Sequence, residues 1–287
     1  MFAVLKREFR SYFQNVIGWL FVAALMALFG LYFYVYNLRQ GYPYLYYTLS
    51  AITIIFMIAV PILTMRSFAE DRKNKTDQLI LTAPVSLGKI IAGKFLALAS
   101  IFTIPILVIC LYPLILMKFG NIPVAESYTA ILGFYLYGLA CMAVGVFISS
   151  LTESQVIAAV VSFIVLLLSN MLTSIASMLP TDALSQALIL TVAWIVVCVI
   201  AYNMMKNITV TAILAVIGEV VVWGIYIAKS AVYENLLSKV ADAFAITSRY
   251  SDFELGILKY DAIVYYISVS FLFVFLTVQI IKKKRFN

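Results

Sequence analysis

The chain has 287 residues, 64% hydrophobic and 11% charged, with 20 Lys and Arg against 13 Asp and Glu. A mean hydropathy of +1.05 and less than half of the roughly 25% charge typical of soluble domains exclude a water-soluble globular protein and mark an integral membrane protein. Histidine is absent, which removes the commonest metal ligand and general base, so neither a catalytic residue nor a metal site is expected.

At the start of the chain, Phe2, Leu5, Phe9, Tyr12 and Val16 recur every three or four residues, with Lys6, Arg7, Glu8, Arg10 and Gln14 between them. This periodicity predicts an amphipathic helix over 1–15 lying on the inner membrane face; a plain basic flank of the first span is the alternative. The apolar run that follows is too long for a signal-peptide core and lacks a small-residue cleavage site, so it is expected to stay as a span.

Stretches of about 20 apolar residues, the length that crosses a hydrocarbon core of about 30 Å, fit at 16–36, 46–65, 95–117, 128–149, 154–179, 187–205, 209–228 and 262–281. The expected fold is an all-α polytopic bundle of about eight spans in a single transmembrane domain, 1–287. The three spans between 154 and 228 are the weakest, because 206–208 leaves room only for a tight turn; six spans with a broken hairpin is the alternative. Cys110, Cys141 and Cys198 fall inside spans, where they act as small apolar residues and no disulfide is expected.

Basic residues near helix ends favour the cytoplasmic side. With both termini on one side, that side holds fourteen of the 20 Lys and Arg, from Lys6 through Arg66 and Lys94 to the terminal run at 282–285. The other six are Arg39, Lys118, Lys229, Lys239, Arg249 and Lys259. The termini and segment 66–94 are therefore expected in the cytoplasm, in a chain crossing the cell membrane. This asymmetry accounts for the net charge of +7 without a nucleic-acid partner.

Segment 66–94 is the long polar stretch between two spans. Within it, 70–82 has no Gly or Pro, and Leu79, Ile80 and Leu81 follow a charged turn. This suits a short cytoplasmic helix stopped by Pro84, against the alternative of a solvated loop. Gly88 to Lys94 has the G-x-x-x-x-G-K spacing of a phosphate-binding loop, but Phe95 stands where a Ser or Thr should hold magnesium. No strand precedes it, so ATP binding there is not expected. Gly88 and Gly93 are read instead as letting the backbone turn at the membrane surface, with Lys89 and Lys94 among headgroups.

Further along, Cys141, Gly145 and Ser149 form a small-residue stripe at every fourth position, suited to close helix packing within the chain or beside a conduction path. Glu219 falls mid-span, where a charge costs several kcal/mol. It either serves a polar route or proton relay, or hydrogen-bonds to Asn170 or Asn203. Over 229–260, Val232, Leu236, Leu237, Val240 and Phe244 share one helical face, as an outer-side amphipathic segment would. It is read as a connecting helix or as part of a lateral exit.

The run Arg66-Ser-Phe-Ala-Glu70, then Arg72, then Thr76-Asp-Gln-Leu79-Ile-Leu81-Thr-Ala-Pro84-Val-Ser86, then Gly93-Lys94, resembles the signature of ABC exporter permeases of the type-2 class. Asp252-Phe253, Gly256-Ile-Leu, Asp261 and Tyr265-Tyr266 before the last span add to the likeness, as does Lys6-Arg7-Glu8. The gliding-motility and NosY-like subgroup is the nearest variant. The resemblance implies a permease that binds no cofactor itself and pairs with a second permease copy or a related permease. Two cytosolic ABC ATPase subunits would bind the ATP and magnesium, and a membrane-anchored auxiliary protein often accompanies relatives. By position, Glu70, Arg72, Thr76, Gln78, Leu79, Leu81 and Pro84 would form a coupling helix that seats in the ATPase. Lys75 stands where many relatives have glycine, and Gln78 where many have glutamate. Two other classes remain open: a proton-coupled secondary transporter using Glu219, for which no internal repeat speaks, and a membrane scaffold without transport.

Overall fold

The structure is a computed structural model that describes residues 1–76, 85–118, 120, 122–205, 208–230 and 233–286. Among these the fold is all helix, without a strand. Helix α1 (Phe2–Gln14) is set off from α2 (Val16–Phe33) by Asn15, whose extended backbone ends the first helix. A π-helical turn, Tyr34–Arg39, closes α2. There the buried Asn37 donates to the Tyr42 and Tyr44 carbonyls and accepts from Thr48, pinning the connection to α3 (Tyr46–Thr64). Proline at 61 removes a ladder amide in the last turn of α3, and the chain turns at Met65 into α4 (Arg66–Lys73).

After the segment 77–84 come α5 (Leu87–Ile109), the short α6 (Tyr112–Leu116) and α7 (Val124–Leu151). They are followed by α8 (Gln155–Ser177), α9 (Ala183–Met205) and α10 (Ile208–Ala228). Two short helices, α11 (Leu236–Phe244) and α12 (Tyr250–Glu254), lead into α13 (Tyr260–Phe286). By length and composition, six helices among the described residues can cross a membrane: α2, α3, α5, α7, α8 and α13, some with the turn or helix that extends them. The remaining two long helices, α9 and α10, run 23 and 21 residues, with described apolar stretches Ala183–Val196 and Ile213–Ala228.

The chain forms two compact units, Met1–Ser169 with Ile246–Asn287, and Asn170–Ala245. In the first, α7 is the axis, and α3, α4, α5, α6, α12 and α13 pack on it. Its small residues make that possible: a Cβ at Gly133 would collide with the Phe253 side chain, and one at Gly145 with Thr64 Oγ1. Around the axis an aromatic core packs Phe56 against Phe102 and Phe134, with centroids 5.0 and 5.1 Å apart, and Tyr137 against Tyr250 at 5.7 Å. In the second unit, α9 packs on α10. There the Tyr233 hydroxyl donates to the Val222 carbonyl at 2.7 Å, and buried Gln186 accepts from the Leu237 amide at 3.0 Å.

The start of α5 corrects one expectation. The spacing Gly88 to Lys94 lies inside a regular helix rather than a surface turn, so its interior amides bond along the helix and present no cradle. Lys89 is exposed, but Lys94 is 2% exposed. It is sealed by α1 and α4 instead of reaching headgroups.

Candidate functional site

At the end of the first unit where α3 meets α4, the sequence creates a problem of unpaired backbone groups. The first four amides of a helix have no partner within it, and α4 has no side-chain cap of its own. Ser149 of α7 solves it from outside: its hydroxyl accepts from the amides of Phe68 and Ala69 at 3.1 and 3.2 Å and donates to the Met65 carbonyl at 2.9 Å. With Gly145 admitting Thr64 one turn earlier, the joint between span and short helix is clamped to the central helix. Cys141, two turns from Ser149, is fully buried. Gly145 and Ser149 thus lie against α3 and α4 of this same chain.

Lys94 forms the other half of the junction. Its ammonium lies 2.7 Å from the Ser67 carbonyl, 2.7 Å from Asp71 Oδ2 and 3.2 Å from Glu8 Oε1, and over the Phe68 ring at 5.1 Å. The ammonium thus hydrogen-bonds to the Ser67 carbonyl and is balanced in charge by Asp71 and Glu8. Glu8 also accepts from Arg7 at 2.7 Å, so Arg7, Glu8, Lys94 and Asp71 alternate in sign and sum to zero. This neutral chain ties α1, α4 and α5 together. Alongside it the Tyr12 hydroxyl donates to the Leu63 carbonyl at 3.2 Å, and the Arg66 guanidinium sits over the Tyr12 ring at 5.7 Å while pairing with Glu70. Burial pushes the Tyr12 phenol well above its usual pKa, and the Glu8 hydrogen bond raises Arg7.

Glu70, Arg72 and Thr76 of the expected coupling set belong to this junction or its edge. Glu70 pairs with Arg66, while Thr76 bonds to the Asp71 carbonyl and carboxylate in the turn that ends α4. Gln78, Leu79, Leu81 and Pro84 lie outside the described residues. The expected helix over 70–82 is corrected at its near end: the helix runs Arg66–Lys73, and Lys75 takes a left-handed backbone with φ of 56°. Such a residue stops a helix without any Gly or Pro to announce it. Glu8, Asp71 and Lys94 form a junction that hydropathy did not point to. The available signal was a lysine flanked by apolar residues on both sides.

Beside the junction, α1, α4 and α5 line an open cavity of about 930 Å³. At the opposite end of the first unit, Glu254 of α12 pairs with Ser50 of α3, and Arg249–Asp261 and Lys259–Asp252 pair at 2.8 Å each. In the second unit, Glu219 of α10 has one carboxylate oxygen buried without a hydrogen-bond partner among the described residues. The side chain of Asn203, one of its expected partners, lies outside them.

The described residues thus form an all-helical domain in which a short helix, α4, continues from α3 and is clamped to α7. A family model described as ABC-2 family transporter protein matches residues 10–278. The chain belongs to the ABC-2 transporter family. It is the multi-pass transmembrane permease subunit of an ABC transporter and not itself the ATPase, and membership implies partnership with ABC ATPase subunits. No curated protein and no solved structure matches it.

Proposed function

We propose that this ABC-2 permease is the membrane half of an exporter of the NosY-like subgroup in the cell membrane, with both termini cytoplasmic. Two cytosolic ATPase subunits, binding ATP and magnesium, would drive it through α4 and the segment after it. A second permease copy or a related permease completes the pathway, and a membrane-anchored auxiliary protein joins on the outer side. The observation that carries this reading is the double anchoring of α4, by Ser149 to α7 and by Asp71 and Lys94 to α5. A short helix held this rigidly passes a push from a partner to two spans at once, as rigid-body switching requires.

The test is affinity purification of the tagged chain in mild detergent, with and without Leu79→Asp and Leu81→Asp. An ATPase retained by the parent and lost from the folded variant supports the coupling contact; equal retention sinks it. The unpartnered oxygen of Glu219 favours one rival, proton-coupled transport. If Glu219→Gln abolishes transport that persists without ATP, the rival is right.

A further inference from the structure

Charged side chains line the cavity between α1, α4 and α5, and their charge does not balance. Three carboxylates line it, and each has a cation: Glu70 has Arg66, Glu8 has Arg7 and Lys94, and Asp71 has Lys94. Lys6 and Arg10 also line it, both are exposed, and neither has an ion-pair partner among the described residues. With three lining carboxylates set against Arg7, Arg66 and Lys94, two positive charges are left over. They stand four residues apart, on one face of α1. Ser11 and Gln14 add hydrogen-bonding groups beside them, while Val4 and Ile90 make part of the wall apolar.

We propose that this cavity binds the phosphate headgroup of an anionic glycerophospholipid. The two surplus cations attract the singly charged phosphodiester of such a lipid, and hydroxyl and amide side chains suit its oxygens. The apolar wall has no use for a free phosphate but accommodates the glycerol and the start of an acyl chain. Basic residues on an amphipathic helix are the usual recognition element for anionic lipid. A seated headgroup would brace α1 against the Lys94 junction, making the junction sensitive to the lipid around it. The inference is independent of the ATPase and of the direction of transport.

In the test, the full chain purified in neutral detergent is titrated with phosphatidylglycerol, phosphatidylcholine or inorganic phosphate, and bound molecules are counted by native mass spectrometry. One phosphatidylglycerol should be retained in preference to phosphatidylcholine. Lys6→Gln with Arg10→Gln should weaken it about 30-fold, and either alone about fivefold, as expected for two cations near an anionic group. The charge-preserving pair Lys6→Arg and Arg10→Lys should restore binding, which separates loss of charge from loss of fold. Equal retention of phosphatidylcholine, or unchanged binding by the Gln pair, overturns the proposal. Displacement of the lipid by millimolar inorganic phosphate assigns the site to a soluble phosphate and overturns the lipid reading.

Discussion

Lys94 carries the largest electrostatic debt in the described part of the molecule. Removing one partner from a buried ion pair leaves the others as uncompensated charges, which costs about 3–5 kcal/mol. Lys94→Met should therefore lower the melting temperature of the purified chain sharply. The triple change Lys94→Met, Glu8→Gln and Asp71→Asn should regain most of the loss, since it removes the stranded carboxylates as well. A triple variant no more stable than the single one would show that packing, not charge, is what Lys94 supplies. Glu254 offers a second residue-level test. Burial raises its pKa from 4.5, while the Ser50 hydrogen bond pulls the other way. The folded chain thus holds this proton more tightly than the unfolded one, so the stabilisation is full below the ordinary value and lost as pH rises through the raised value. The melting temperature of the parent relative to Glu254→Gln should fall as pH rises above 4.5, and a pH-independent difference would sink the assignment. Neither residue's role was legible beforehand. Hydropathy places a lysine near a membrane surface but does not reveal which helices will fold over it.

Among the elements, the long helices were legible because a bilayer imposes one strong demand, about 20 apolar residues whose backbone bonds close internally. The expected span 128–149 and the observed α7 (Val124–Leu151) differ by a few residues at each end, the usual uncertainty of helix termini. The short α4 was harder. Its start is fixed by Ser149, 80 residues away in sequence from the amide of Ala69, and its end by a left-handed lysine. Propensity reports neither. Ser149→Ala would leave two buried amides and one carbonyl without their shared partner, at about 1–3 kcal/mol for each group stranded. Beyond a lower melting temperature, amide hydrogen exchange should accelerate in α4 while α7 stays protected. Uniform loss of protection across both helices would mean that Ser149 supports the bundle as a whole and has no special hold on α4.

At the scale of the molecule, the distribution of charge decides orientation, and one loop decides the number of crossings. If the fourteen basic residues lie inside, α1, the α4 junction and the end of α13 share the cytoplasmic face, and the π-helical turn and α12 face outward. Six and eight spans agree on all of these positions, because an added pair of crossings changes nothing outside it. They differ at the connection between α9 and α10, where Lys206 is the basic residue. Eight crossings bring it to the cytoplasm, where its charge obeys the same rule as the others; a hairpin that fails to cross leaves it on the outer side. Single cysteines in a background lacking Cys110, Cys141 and Cys198 can be labelled with an impermeant maleimide in intact cells. Arg39→Cys and Lys259→Cys should react directly, and Lys75→Cys and Lys283→Cys only after permeabilisation; the reverse pattern would invert the topology. Lys206→Cys should follow Lys75→Cys, because the two helices it joins run 23 and 21 residues, each enough to cross. Direct labelling at 206 in intact cells would reduce the permease to six crossings and place Glu219 on a hairpin rather than in a span.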